Sequence, residues 1–253
     1  MKNQTPAKSR SSVKASQPVA NNHLGRRPAI LFFLLLALSI VGYIAYAKTP
    51  LTSPGSKTPH PVGMNVEDQH GDLWLIDNTG QRRFYPSQAV FLSYAFNSMD
   101  AVVRANKGDM DLPIGPVVLP REGQLCVSNS GPDVNSSYII SNGHKLGFSS
   151  LDVFQALGFN ILKSINLDLS QVPAGNVISN ASAKHPKGVV INNIQDIVYM
   201  GENGVYAIPD LETFNSWGFN FSDVLPRSDE DAALPKIGVL APRQAGELNP
   251  NVQ

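Results

Sequence analysis

The chain has a single cysteine, Cys126, in 253 residues. One thiol cannot close a disulfide within the chain, and no cysteine-based metal cluster can form. Cys126 sits in the apolar run Leu125-Cys126-Val127 behind Gly123, which reads as a small buried hydrophobe on a strand. Charge is scarce as well, with Asp, Glu, Lys and Arg making up 16%. Gly and Pro are plentiful, at 20 and 19 residues. That mixture excludes long charge-laced helices and favours short elements joined by many turns. No acidic residue precedes Glu67, whereas Lys2, Lys8, Arg10, Lys14, Arg26 and Arg27 fall in the first 28 positions. Because the formal net charge is zero, a basic tail leads a mildly acidic body. This asymmetry suits membrane topology and argues against nucleic acid as a partner.

The usual chemical signatures are missing too. There is no His-Glu-x-x-His, no Gly-x-Ser-x-Gly, and neither glycine-rich phosphate loop. The five histidines, His23, His60, His70, His144 and His185, read as tail, linker, loop or rim positions. Asp109-Met110-Asp111 and Asp229-Glu230-Asp231 read as solvated acidic turns, since neither continues into a calcium loop. No catalytic residue, cofactor or metal is therefore expected.

What is present begins with an uncharged run at 29–47, AILFFLLLALSIVGYIAYA. As a helix its 19 residues span about 28 Å, close to the ~30 Å hydrocarbon core of a bilayer. Arg26 and Arg27 stand directly before it. This predicts a disordered basic cytoplasmic tail (1–28), a transmembrane helix (29–47) contacting the lipid bilayer, and a body outside the cytoplasm. Ala45-Tyr46-Ala47 has the small-x-small form of a signal-peptidase site. Two readings thus stand, a signal anchor or secretion after cleavage near Ala47, and both export the body. Residues 48–62, with four prolines among Ser and Thr, form a semi-extended linker.

The body repeats a phrase three times: VFLSYAF (90–96), VFQALGF (153–159) and TFNSWGF (213–219). Phe91, Phe154 and Phe214 are each followed five residues on by Phe96, Phe159 and Phe219, and then by Asn. Ser87, Ser150 and Asp210 stand four residues upstream. The pattern predicts a short helix opened by a side-chain cap and closed by Gly158 or Gly218 in the left-handed conformation. The two Phe side chains would then meet across a Schellman termination. Ala95 takes the glycine place in the first copy. It either costs about 1 kcal/mol there or marks a helix that ends differently. Upstream, each unit has apolar runs around a turn, with Trp74, Tyr138 and Tyr199 taken as equivalent, and starts at Gly63, Gly123 or Gly188. Downstream, Pro113-Ile114-Gly115, Pro173-Ala174-Gly175 and the Pro235–Gly238 stretch each lead into an apolar pair.

The fold class expected is α+β: three β-rich repeats, each a hairpin plus a short helix, at 63–122, 123–187 and 188–242, with 243–253 as a disordered tail. About 60 residues is small for an independent core, so neighbouring units should share apolar faces. On the aromatic strand, the turn and the Phe-x-x-x-Gly-Phe-Asn phrase, residues 63–242 resemble tandem repeats of about 60 residues in exported bacterial cell-surface proteins behind one N-terminal membrane helix. The resemblance implies a cell-surface location and no particular activity. The functional expectation is a membrane-anchored binding or structural module of the envelope, with cell-wall polymer or a surface protein as partner. The alternative is an envelope hydrolase with its site between repeats. Trp74, Arg83 and Tyr85, around the first hairpin, are the candidate binding residues.

Overall fold

The computed structural model describes residues 55–250, and the expected tail, transmembrane helix and most of the linker lie outside that range. The body is α+β, with three mixed sheets and short helices. In the first unit β1 (Asn65–Glu67), β2 (Leu73–Ile76) and β3 (Arg82–Phe84) form an antiparallel meander. Helix α1 (Gln88–Ser93) and a 3-10 turn at Met99–Ala101 then carry the chain back to β4 (Val103–Arg104), parallel to β1. A parallel return needs such a crossover, since a tight turn can only reverse the chain. A further helix, α2 (Lys107–Asp111), follows.

The second unit repeats this order: β5 (Leu125–Ser128), β6 (Ser137–Ser141), β7 (His144–Gly147), α3 (Leu151–Ala156), a 3-10 turn at Ile161–Lys163, and β8 (Ile165–Leu167) parallel to β5. So does the third: β9 (Val190–Asn192), β10 (Ile197–Met200), β11 (Val205–Ala207), α4 (Leu211–Ser216), a 3-10 turn at Phe221–Asp223, and β12 (Leu225–Pro226) parallel to β9. It adds α5 (Asp229–Ala232) and β13 (Lys236–Val239), which runs parallel to β11. The Pro-Gly stretches of the first two units follow the same path, with single parallel bridges Arg82–Ile114 and Lys145–Ala174.

The helix ends show how the repeated phrase works. Ser87, Ser150 and Asp210 each accept from the backbone N–H three residues on, at 3.2, 3.2 and 2.7 Å. At the far end Gly158 and Gly218 have φ of +79° and +64°. The Phe159 N–H donates to the Phe154 carbonyl and the Gly158 N–H to that of Gln155; Phe219 and Gly218 donate in the same way to Phe214 and Asn215. This is the Schellman pair of bonds, and the Phe rings meet at 5.7 and 5.6 Å. The first unit departs from it. Tyr94 is the extended C-cap, and the Asn97 side-chain amide donates to the Phe91 carbonyl in place of a backbone N–H. Phe96 pairs with Tyr94 and lies under the Arg243 guanidinium at 3.5 Å. With Asn97 used this way, Ser98 caps the 3-10 turn that Asn160 and Asn220 cap in the other units.

Strand register corrects one expected equivalence. Trp74 faces Val66 and Tyr138 faces Cys126, and the matching partner of Ile191 is Val198, not Tyr199. One residue along a strand reverses the face. Tyr199 therefore packs with its own helix residues Phe214 and Trp217 in the third core.

The cores are shared between units. Leu75, Tyr85, Phe91 and Tyr94 of the first unit pack with Cys126, Ile140 and Leu167 of the second. Leu125, Ile139, Phe154 and Phe159 of the second pack with Ile191, Val198 and Met200 of the third. The helices of the first two units are thus enclosed between their own sheet and residues of the next unit, whereas Phe214 and Trp217 of the third pack with Val190, Tyr199, Tyr206 and Leu240. Cys126 is fully buried there, and burial pushes its thiol up to about 12.

Both ends differ from expectation. Residues 243–250 are ordered against the body: Leu248 joins the first core, and the Asn249 side-chain carbonyl accepts from the Glu122 N–H. A buried leucine and a paired amide give this segment a packing face that its polar composition hides. In the expected linker, Ser56 and Thr58 offer their carbonyls to the Gly108 N–H and the Asn106 amide, which docks that stretch on α2.

Candidate functional site

The three candidate binding residues do not converge. Trp74 pairs with Phe84 across the first sheet, so Arg83 and Tyr85 lie on its other face. Tyr85 is 2% exposed, with its hydroxyl donating to Asn65 and its ring edge-on to Phe91, and no ligand reaches it. Arg83 donates to the Pro116 carbonyl. Trp74 lies beneath the Arg82 guanidinium at 4.4 Å, and its indole N–H donates to Asp68. Burial alone would raise the Asp68 pKa, but N–H donors from His70, Asp72 and Trp74 hold it below the usual carboxylate value.

An open cleft of about 680 Å³ lies instead on the second unit. Tyr138, Phe148 and Phe154 contribute aromatic surface, and Leu151, Ile161 and Val177 expose aliphatic surface around them. Phe148 is held edge-on by Phe154 and Phe159 at 5.0 and 5.2 Å. The polar side has Ser136, Ser137 and the pair Lys145–Asp133 at 2.8 Å. Lys145 also donates to the Leu169 carbonyl and lies over the Tyr138 ring at 5.3 Å. Its ammonium, hydrogen-bonded to Asp133, holds that carboxyl below its ordinary value.

The same place in the third unit is filled. Phe221 and Ile161 are each the first residue of their 3-10 turn, directly after a capping Asn. The Phe221 ring stacks on Phe214 at 4.7 Å and 22°. Ile161 has no ring to lay over Phe154, so the second unit keeps its cleft.

Two histidine–aspartate pairs form the other polar clusters. His60 Nδ1 lies 2.7 Å from Asp109 Oδ2, and its backbone N–H donates to Oδ1 at 2.6 Å. His185 Nδ1 lies 2.5 Å from Asp231 Oδ2, and its N–H donates to Oδ1 at 2.8 Å. Each Asp is also the third residue of a short helix and closes a capping box, with Asn106 in α2 and Ser228 in α5. The His185–Asp231 side chains are fully buried, and His185 Nε2 lies 2.8 Å from the Leu157 carbonyl. Both ring nitrogens thus lie against oxygen atoms inside the fold. Burial would raise the Asp231 pKa, but bonds from the His185 ring and N–H and from the Ser228 N–H hold it below the ordinary value. Thus Asp109 and Asp231 are not in solvated turns, and His60 and His185 are not at rims. They are internal staples that tie the start of a unit to its end. A signal was available: His-Pro-x-Gly stands at both 60–63 and 185–188.

The His185–Asp231 pair is closed off on both sides of the ring. No nucleophilic side chain is bonded to His185 among the described residues, and its reactive nitrogen is spent on a backbone carbonyl. Among the described residues no group of three His, Cys, Asp or Glu could hold a metal ion, and no helix is long and apolar enough to cross a membrane.

No family model and no curated protein matches the chain. Solved structures that it matches include the intact ESX-5 inner membrane complex, at 13% identity and a TM-score of 0.21 over 86% of this chain and 58% of that one. The periplasmic assembly from the same ESX-5 complex matches at 14% identity, TM-score 0.18, over 78% and 64%. The EccB3 dimer from the ESX-3 core complex matches at 14%, TM-score 0.18, over 74% and 65%. The chain thus spans 58% to 65% of the length of these solved chains. At such TM-scores no function passes from them to this chain.

Proposed function

We propose that the protein is a membrane-anchored binding module of the cell envelope. Residues 29–47 hold the body outside the cytoplasm, and the second-unit cleft takes a cell-wall polymer. The observation that carries this reading is the cleft left open by Ile161 where Phe221 closes its counterpart. An aromatic and aliphatic floor with hydroxyls and one ion pair along its edge suits a sugar ring, whose C–H face is apolar and whose rim is polar. Most glycosidases use two carboxyl groups about 5–9.5 Å apart, one of them kept protonated. Among the described residues Asp133 is the one carboxylate lining this cleft, and Lys145 favours its ionised form, which supports binding without cleavage.

The test uses the full chain in detergent micelles and purified insoluble wall polymer. The wild type is expected to co-sediment with the polymer and to leave its mass unchanged. Ile161→Phe should lay a ring over Phe154 as Phe221 does over Phe214, and reduce retention about 10-fold or more, equivalent to at least ~1.4 kcal/mol. Its melting temperature should stay near that of the wild type. Equal retention of the two proteins rejects the cleft as the site, and release of soluble fragments favours the hydrolase.

A further inference from the structure

The second unit opens differently from the others. Where the first and third have His-Pro-x-Gly with the His locked by an Asp, it has Pro120-Arg121-Glu122-Gly123. Glu122 is spent locally, its carboxylate accepting from the Asn142 and Gly143 N–H groups of the hairpin turn at 2.6 and 2.9 Å. Arg121 is anchored through its backbone N–H, which donates to the Ser93 hydroxyl. Its guanidinium has much less. One nitrogen donates to the Trp217 carbonyl at a long 3.4 Å, and the plane lies 5.7 Å from the Phe219 ring. Nε is buried with no partner among the described residues. The buried Tyr199 hydroxyl, near enough to feel the charge of Arg121, has none either.

A guanidinium has five N–H donors and remains charged in proteins, so enclosing part of one without an anion is unfavourable. No ion pair to Arg121 forms among the described residues. Asp223, the carboxylate that most affects it, is already paired with Lys163 at 3.1 Å. Arg121 and this pair line one cleft of about 590 Å³ at the seam of the three units, which Asn160, Asn220 and Ser222 also line. Two cations and one carboxylate leave the seam with an excess positive charge. Asn160 and Asn220 spend their side-chain oxygens on the caps of their 3-10 turns. Their amide nitrogens, as donors, suit the same sign of ligand.

We propose that this seam is an oxyanion site, in which Arg121 and Lys163 receive a phosphate group. A tetrahedral anion can accept from donors arriving from several sides at once, whereas a planar carboxylate fits one guanidinium edge. The group can arrive as free inorganic phosphate or as the phosphate of a glycerol phosphate unit. The site is separate from the sugar-binding cleft and does not depend on it.

The probes are inorganic phosphate and glycerol 3-phosphate, titrated into the full chain in detergent micelles by calorimetry and thermal melting, with chloride of matched ionic strength as control. The wild type should bind at least one of them saturably, and its melting temperature should rise with concentration. Binding of inorganic phosphate alone assigns the free anion; tighter binding of glycerol 3-phosphate assigns the esterified group. Arg121→Met should abolish the response while the ligand-free protein melts no lower than wild type, because a partly enclosed charge without an anion has been removed. An arginine with a merely structural role would give the opposite sign. Lys163→Gln, on the exposed rim, should weaken binding several-fold and leave folding intact, so it serves if Arg121→Met does not fold. The proposal is overturned if neither probe shifts the wild type beyond the chloride control, or if Lys163→Gln and Arg121→Met both bind as the wild type does.

Discussion

Asp231→Ala is expected to lower the thermal unfolding midpoint of the full chain by about 10 °C. One carboxylate serves the His185 ring, the His185 N–H and the Ser228 N–H. Alanine leaves two buried donors of His185 and one part-buried N–H of Ser228 unpaired, and removing one partner of a buried pair costs about 3–5 kcal/mol. For a body of this size, 1 kcal/mol moves the midpoint by roughly 2–4 °C. Asp231→Asn should recover little, because an amide offers one acceptor oxygen and turns its NH₂ toward a donor. The double variant His185→Leu/Asp231→Leu should recover much of the loss, since apolar replacement of both members removes the unpaired groups together. The pH dependence has a definite sign. The folded-state pKa of Asp231 is depressed, so its contribution is present above the unfolded value of about 3.9 and is lost as pH falls through the folded value. Acid unfolding should therefore begin at higher pH in the wild type than this carboxylate alone would dictate only if other groups intervene, whereas Asp231→Ala should show a flatter acid limb. Melting by circular dichroism from pH 7 to pH 2 checks both. A midpoint within 2 °C of wild type at pH 7 would show that the staple holds nothing.

The helices were legible in the sequence because their signals are local. Ser150, Phe154, Gly158 and Phe159 lie within ten positions, and the bonds among them close one small loop of chain. The failure of the first copy was also written there, as Ala95 in place of Gly. What replaced it was less visible: the Asn97 amide does the work of a backbone donor, and Ser98 takes over the next cap. Register is hidden where the repeats differ by one residue, since Tyr199 and Val198 are both apolar yet face opposite sides. The staples were missed for another reason. His60 and Asp109 are separated by 49 residues, and His185 and Asp231 by 46. Nothing local to either partner demands the other, and closely spaced acidic residues beside a helix start ordinarily face water. The cleft depended on a contrast the sequence did carry, Ile161 against Phe221, whose meaning needed the neighbouring Phe154 and Phe214 to be seen as floors.

The second large effect is expected at the glycines that open the units. Gly63, Gly123 and Gly188 have φ of +88°, +77° and +103°, and each N–H donates to a carbonyl of its own second strand, at Ile76, Ile140 and Met200. Gly123 and Gly188 also cross each other: a Cβ on Gly123 would overlap the Gly188 carbonyl, and one on Gly188 would overlap the Gly123 nitrogen. Gly123→Ala thus combines a left-handed conformation, unfavourable by about 1–2 kcal/mol, with overpacking of about 1–3 kcal/mol. The obstacle is backbone held by strand bonds on both sides, so no side-chain rotation relieves it. We expect a total near 3 kcal/mol, with Gly188→Ala similar and the double variant well short of their sum, because both break one contact. Gly63 makes the matching approach to Gly246 in the C-terminal segment, where the Cβ would sit 2.8 Å from the Gly246 nitrogen. Among the described residues that segment carries no regular strand or helix after Val239, so it can yield, and Gly63→Ala should cost less than Gly123→Ala. Gly80 supplies the control, having φ of +76° and open space around its Cβ, so Gly80→Ala isolates the conformational cost. Chemical unfolding of the four single variants should rank Gly123 and Gly188 first, Gly63 next and Gly80 last. A Gly123→Ala protein no less stable than Gly80→Ala would mean that the second and third units do not meet through their opening glycines, and the shared-core stacking would have to be abandoned.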